Sequence, residues 1–93
     1  MKIGIARITL YIPCCQSLKE KRAIIRSIKD KIRNRFNVSA AETGSNDKWQ
    51  KAEMGFSMVS NDGKHIQAEM EKLTRFLKII QPVTLVDNEF EII

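Results

Sequence analysis

Five cations, Lys19, Arg22, Arg26, Lys29 and Arg33, are spaced three, four, three and four residues apart. On a helix turning about 100° per residue they fall within an ~80° sector and form a row about 20 Å long. A row of that length matches several consecutive phosphates of a nucleic acid. Arg outnumbers Lys in it, and the planar guanidinium fork suits phosphate oxygens. No acid interrupts the row, although exposed helices usually interleave signs because like charges at this spacing repel. The competing readings are a solvated face that keeps the chain soluble and a docking face for an acidic protein.

Other reactive side chains are sparse. The single histidine, His65, follows Ser60-Asn61-Asp62. A serine nucleophile and a base oriented by Asp62 can be drawn from these. Yet Ser-Asn-Asp ahead of an apolar periodic run is the pattern of a helix N-cap, so no catalysis is expected. Cys14 and Cys15 are adjacent. They cannot form an ordinary long-range disulfide with each other, and two ligands do not make a zinc site. They are expected to be small loop residues. There is no glycine-rich phosphate loop and no histidine pair, so neither metal nor cofactor is expected. Trp49, beside Gln50, allows two readings: an anchor packing a loop, or a platform on which a base stacks.

These residues need elements to hold them. Residues 2–12 alternate as a strand, with Ala6, Ile8, Leu10 and Ile12 on one face and Ile5, Arg7, Thr9 and Tyr11 on the other. Pro13 stops it. Ser17 with Glu20 three residues on is a capping-box signature. Leu18, Ile25, Ile28, Ile32 and Phe36, widened by Ile24, then recur at helical spacing to near Arg35. Lys21 falls inside this apolar sector. Either its stem snorkels to the helix end, or it pairs with a carboxylate such as Glu42.

A second strand is predicted from Asn37 to about Thr43, and Gly44-Ser45-Asn46-Asp47 reads as a turn. A third strand over 49–59 puts Ala52, Met54, Phe56 and Met58 on one face. Ile66, Met70, Leu73, Leu77 and Ile80 make the stripe of a second helix, Pro82 marks its exit, and a last strand runs from about Val83 to Ile92. Strand, helix, strand, strand, helix, strand is the order of an α+β, ferredoxin-like sandwich, with two helices on one face of a four-stranded antiparallel sheet.

The totals agree. The 93 residues, 43% hydrophobic and 29% charged, suit one globular domain. No apolar run approaches the ~20 residues that span a membrane. The opening Met1-Lys2-Ile3-Gly4-Ile5 lacks a signal-cleavage pattern, so no membrane role and a cytoplasmic location are expected. The net charge of +5 is concentrated. Residues 17–35 hold eight Lys or Arg against Glu20 and Asp30, a net +6, whereas the rest of the chain comes to −1.

The strand ending Ile12-Pro13, then Ser17-Leu18-Lys19-Glu20-Lys21-Arg22 and Arg33-Asn34-Arg35-Phe36-Asn37-Val38-Ser39, resembles the YlxP-like family of small bacterial proteins. Glu42, Trp49-Gln50, Ser60-Asn61-Asp62 and His65 extend the resemblance over essentially the whole chain. It implies a ferredoxin-like fold and a domain of unknown function. Some members are encoded beside ribosome-maturation and translation-initiation factors, which implies RNA or ribosome work by association. The Cys14-Cys15 pair departs from the Gly- or Ala-like loop expected there.

The uncovered sheet face gives a different signal. RNA-binding domains of this topology stack bases on aromatics of the central strands. Here only Tyr11 stands on that face of the first strand, and Asp87, Glu89 and Glu91 make the last strand acidic. If RNA binds, the first helix should hold it. The expectation is a non-enzymatic RNA- or ribosome-associated module, with Lys19, Arg22, Arg26, Lys29 and Arg33 on phosphates and Trp49 adding one stacking contact. The alternative is a protein-interaction or structural module with no nucleic-acid role. It would form a homodimer through the open sheet face, burying Ile5, Tyr11 and Val59, with Arg7 pairing Asp87 or Glu89.

Overall fold

The computed structural model describes residues 1–93. The elements are β1 (Lys2–Tyr11), α1 (Leu18–Arg35), β2 (Ser39–Gly44), β3 (Lys51–Ser60), α2 (Gly63–Ile79) and β4 (Thr84–Ile92). The strands form one antiparallel sheet in the order β2-β3-β1-β4. Both helices cover one face, α1 towards β2 and α2 over β1, β3 and β4. This is the ferredoxin-like arrangement expected from the strand and helix order.

The sequence periods explain the layers. Ala6, Ile8, Leu10 and Ile12 are buried on the helix-facing side of the central strand β1. Ala52, Met54, Phe56 and Met58 do the same from β3, and Ile25, Ile28 and Ile32 meet them from α1. Ile66, Met70, Leu73 and Leu77 close the core from α2. Gly4 is required where α2 crosses β1, because a Cβ there would overlap the Ile66 side chain. A fully buried side chain of this size contributes roughly 1.5–3 kcal/mol. The amphipathic faces, rather than helix propensity, therefore hold the helices down.

Helix α1 starts where the capping box places it. The Ser17 hydroxyl accepts the Glu20 N–H at 3.0 Å. The Glu20 carboxylate reaches back one residue further than the usual box, to the Gln16 N–H at 3.3 Å. Asp62 caps α2 by accepting the Lys64 N–H at 2.9 Å. Basic Arg33 and Arg35 occupy the last turn of α1, which suits the negative end of the helix dipole.

Several boundaries differ from the sequence reading. Strand β2 begins at Ser39, not Asn37, because Phe36 ends α1 in an extended conformation and the Val38 N–H turns back to the Phe36 carbonyl at 3.0 Å. Strand β3 begins at Lys51, so Trp49 and Gln50 lie in the connection. Leu18 is only half-buried, and Lys21 is the first-turn residue that enters the core. Strand β4 pairs with β1 along its length, with an irregularity between Thr9 and Leu10 that leaves Val86 as the extra residue.

Candidate nucleic-acid interface

The five-cation row runs along the flank of α1 nearest β2. Lys19, Arg22, Arg26 and Arg33 are exposed. Lys29 is half-buried, as its angular position nearest the apolar sector requires. None of the five is ion-paired; the ion pairs of the molecule belong to Arg7, Lys21 and Lys72. The row is therefore unquenched, with one member committed elsewhere: Arg33 donates to the Ala40 carbonyl of β2 at 3.0 Å.

Lys21 lies on the buried side of the same helix. Its side chain is 2% exposed, and its Nζ lies 2.8 Å from Glu42 Oε2. The directed hydrogen bond of the ammonium goes instead to the Ser45 carbonyl at 2.6 Å. Glu42 Oε2 is buried and accepts no well-directed hydrogen bond, so its contact with Lys21 is ionic. Of the two sequence readings for Lys21, pairing with Glu42 is the one observed. Arg22, Arg26 and Lys29 border the small depression that Glu42 lines. With Lys21 neutralising Glu42, the depression takes no net charge from the row.

Trp49 is 51% exposed and does not anchor the β2–β3 connection. Gln50 does. Its Nε2 donates to the Cys15 carbonyl at 3.3 Å, and its carbonyl accepts the Ile12 N–H at 2.8 Å. With Lys21 tied to Ser45, the connection sits at the N-terminal end of α1, the end that carries Lys19 and Arg22. Trp49 belongs to this connection and keeps about half of its surface exposed.

Cys14 is exposed and Cys15 is buried with its thiol 3.4 Å from the Ser17 carbonyl. Cys14 takes a φ of 68°, the left-handed region that favours glycine. That geometry explains why a glycine-like residue was expected in this loop. Around His65, the groups are spent on capping: Ser60 Oγ accepts the Asp62 N–H at 3.1 Å, Asp62 caps α2, and His65 is exposed and bonds to neither.

On the open face, Arg7 pairs with Glu91 at 2.9 Å and Glu89 at 3.9 Å within its own chain. The pairing expected with Asp87 or Glu89 is one across a dimer, whereas these two pairs lie within one chain. The register sets Arg7 opposite Glu89, and the long side chain leans diagonally to Glu91.

A second basic site was missed by the sequence reading. Between the helices, Arg35, Phe36, Lys72, Arg75, Phe76 and Lys78 line a cleft of about 710 Å³. The Arg35 guanidinium lies 4.6 Å over the Phe76 ring, and Phe36 meets Phe76 edge-on at 6.4 Å. The signal was present in Lys72, Arg75 and Lys78 spaced by threes around Phe76, but it means little until α2 is known to lie beside the end of α1.

Comparison with known proteins agrees with the sequence resemblance. Residues 3–90 match the family described as "Protein of unknown function (DUF503)". The chain is 36% identical over 75 residues to the uncharacterized protein YlxP of Bacillus subtilis (strain 168), covering 81% of this chain and 82% of that one. No helix is long and apolar enough to cross a membrane.

Proposed function

We propose the following reading for a chain that belongs to the DUF503 family: it is a non-enzymatic RNA- or ribosome-associated module that holds phosphates along α1. The observation that carries it is the absence of any carboxylate partner for Lys19, Arg22, Arg26, Lys29 and Arg33. Exposed cations held in a rigid line, above a buried pair that neutralises the nearest acid, form a pre-arranged phosphate track. Such contacts give affinity and position with little sequence information. Exposed Trp49, in the connection tied to the start of α1 through Ser45 and Gln50, adds a stacking surface worth roughly 1–3 kcal/mol per base. The cleft around Phe76 extends the cationic surface on the other flank of α1.

The rival reading, two copies closed sheet to sheet, has less support. Tyr11 and Val59 are the exposed large apolar residues of the central strands on that face. They stand at opposite ends of the β1–β3 ladder, Tyr11 against Lys51 and Val59 against Ile3. At ~3.4 Å per residue that is a separation of roughly 27 Å, too dispersed for the contiguous patch of about 800 Å² that each partner of a stable interface supplies. Arg7 is already engaged at Glu91.

The test is binding of a structured RNA as salt is varied. Four or five neutralised phosphates give a log–log slope of about −4 for a duplex and about −3 for a single strand. Arg22→Glu with Arg26→Glu should abolish binding and leave the circular dichroism spectrum unchanged. Binding that survives in a folded double variant would remove α1 as the interface. A parent dimer that Arg7→Glu dissociates would favour the rival.

A further inference from the structure

The sheet ends at β4, a nine-residue edge strand whose residues beyond Leu85 are exposed on both faces. Ile3 and Ile93 exchange both backbone hydrogen bonds at 2.9 Å. In an antiparallel ladder such bonded pairs alternate. Glu91, Glu89 and Asp87, opposite Ile5, Arg7 and Thr9, therefore bond inward. Asn88, Phe90 and Ile92 point their N–H and C=O groups away from the sheet, at intervals of about 7 Å. This is an open hydrogen-bonding edge.

Its two faces differ in chemistry. The face away from the helices carries Asp87, Glu89 and Glu91 in a line, and the single cation Arg7, which pairs with Glu89 and Glu91, leaves that line net acidic. The helix-side face carries Phe90 and Ile92, 43% and 36% exposed. Phe90 also borders a groove of about 340 Å³ between α2 and β4, with Met70 and Thr74 on the helix side. Helix α2 leaves this end of the core partly uncovered.

We propose that the β4 edge receives an extended protein segment of alternating basic and apolar residues, which adds a fifth strand to the sheet. Backbone hydrogen bonds to Asn88, Phe90 and Ile92 supply the generic affinity of strand addition. Lys or Arg at every second position sets cations opposite Asp87, Glu89 and Glu91, and the intervening apolar side chains cover Phe90, Ile92 and the groove. Charge selects this occupant over a second copy. Antiparallel self-pairing centred on Phe90 would set Glu89 opposite Glu91 twice. Centred on Glu89, it would set Glu89 against itself and Asp87 against Glu91. Like charges directly opposite are destabilising. The same acids that block self-association thus favour a cationic strand, on an edge remote from the α1 cations.

The experiment uses the full chain and three labelled nine-residue peptides, read by fluorescence anisotropy. One alternates Val and Lys, one alternates Val and Glu, and one is the Val–Lys peptide with alternate backbone amides N-methylated. The Val–Lys peptide should bind at least tenfold more tightly than either control and slow hydrogen exchange at Asn88, Phe90 and Ile92. The variant Asp87→Lys/Glu89→Lys/Glu91→Lys should reverse the preference in favour of Val–Glu. Equal binding of the methylated peptide, which needs no altered protein, would overturn strand addition. So would absence of Val–Lys binding, or unchanged exchange at the three amides. Protection of those amides in the protein alone, accompanied by dimer in sedimentation, would assign the edge to a second copy instead.

Discussion

The two edges of the sheet are guarded in opposite ways. Strand β2 is short, six residues, and sits beneath α1, whose Arg33 occupies the Ala40 carbonyl and whose Lys21 buries its charge against Glu42. Strand β4 is longer and lies at the opposite edge. Its charges are acidic and on its own residues, and only Arg7 pairs with them. At the β2 edge, charge comes from a neighbouring helix and is anchored by a buried ion pair. At the β4 edge, it comes from the strand and stays in water. A buried charge is a structural commitment, whereas an exposed line of one sign is left available to a partner of the other. Stability should therefore be sensitive at β2, and association at β4 and along α1.

The largest effect should come from breaking the buried pair. Glu42→Ala strands the Lys21 ammonium, whose only remaining partner is the Ser45 carbonyl. The loss should be about 3 kcal/mol, at the low end for a buried pair broken on one side because that carbonyl remains. Urea denaturation measures it. The double variant Lys21→Met/Glu42→Leu should recover most of the loss, since an apolar pair removes both desolvation costs. A double variant as unstable as Glu42→Ala would show that this end of α1 needs the hydrogen bond to Ser45 rather than charge neutrality.

At the other edge, stability should hardly move while association does. Replacing Asp87, Glu89 and Glu91 together by Thr removes the like-charge opposition and raises strand propensity. Sedimentation should show self-association stronger than that of the parent. A monomer at the same concentration would mean that the Val86 irregularity, rather than charge, keeps this edge from pairing.

Much of this contrast was legible in the sequence where it depends on local period. The core stripes of α1 and α2, the Ser17 cap and the two faces of β1 follow from spacings of 3.6 and 2, which are set within one element. Lys21 was conspicuous because a charge in an apolar sector needs an explanation, and Glu42 was a candidate partner. What the spacing could not give was how far each layer reaches. Phe90 and Ile92 alternate with Glu89 and Glu91, so a period of 2 puts them on the covered side of the sheet, and they are on it. Their exposure arises because α2 covers β4 only in part and leaves a groove beside it, a consequence of packing between distant segments. The cleft around Phe36 and Phe76 was hidden for the same reason. Loop anchoring is one of the two readings of Trp49, yet the neighbouring Gln50 makes the hydrogen bonds that tie the loop. A polar backbone-directed anchor leaves no mark in a hydrophobicity pattern.

A smaller effect separates the structural member of the α1 row from the others. Arg33→Ala removes the hydrogen bond to the Ala40 carbonyl, and a loss of about 1 kcal/mol is expected for a bond of this kind at a partly exposed site. Lys19→Ala, with no comparable bond, should leave the denaturation midpoint unchanged. Equal losses in the two variants would mean that the Arg33 contact contributes nothing beyond ordinary surface effects.

The smallest expected change has the opposite sign, and it distinguishes a functional row from a solubilising one. Arg22 stands three residues after Lys19 and four before Arg26, so both neighbours repel it. Arg22→Glu turns both relations attractive and brings an acid towards the positive end of the helix dipole. The gain should be about 0.5 kcal/mol. The same change should weaken RNA binding and flatten its salt dependence by removing one phosphate contact. Stability rising as binding falls is the signature of charge held in place for a partner at a cost to the fold. Stability falling would make Arg22 a structural residue of the depression it shares with Glu42. Stability rising with RNA binding unchanged would leave the row as solvated surface.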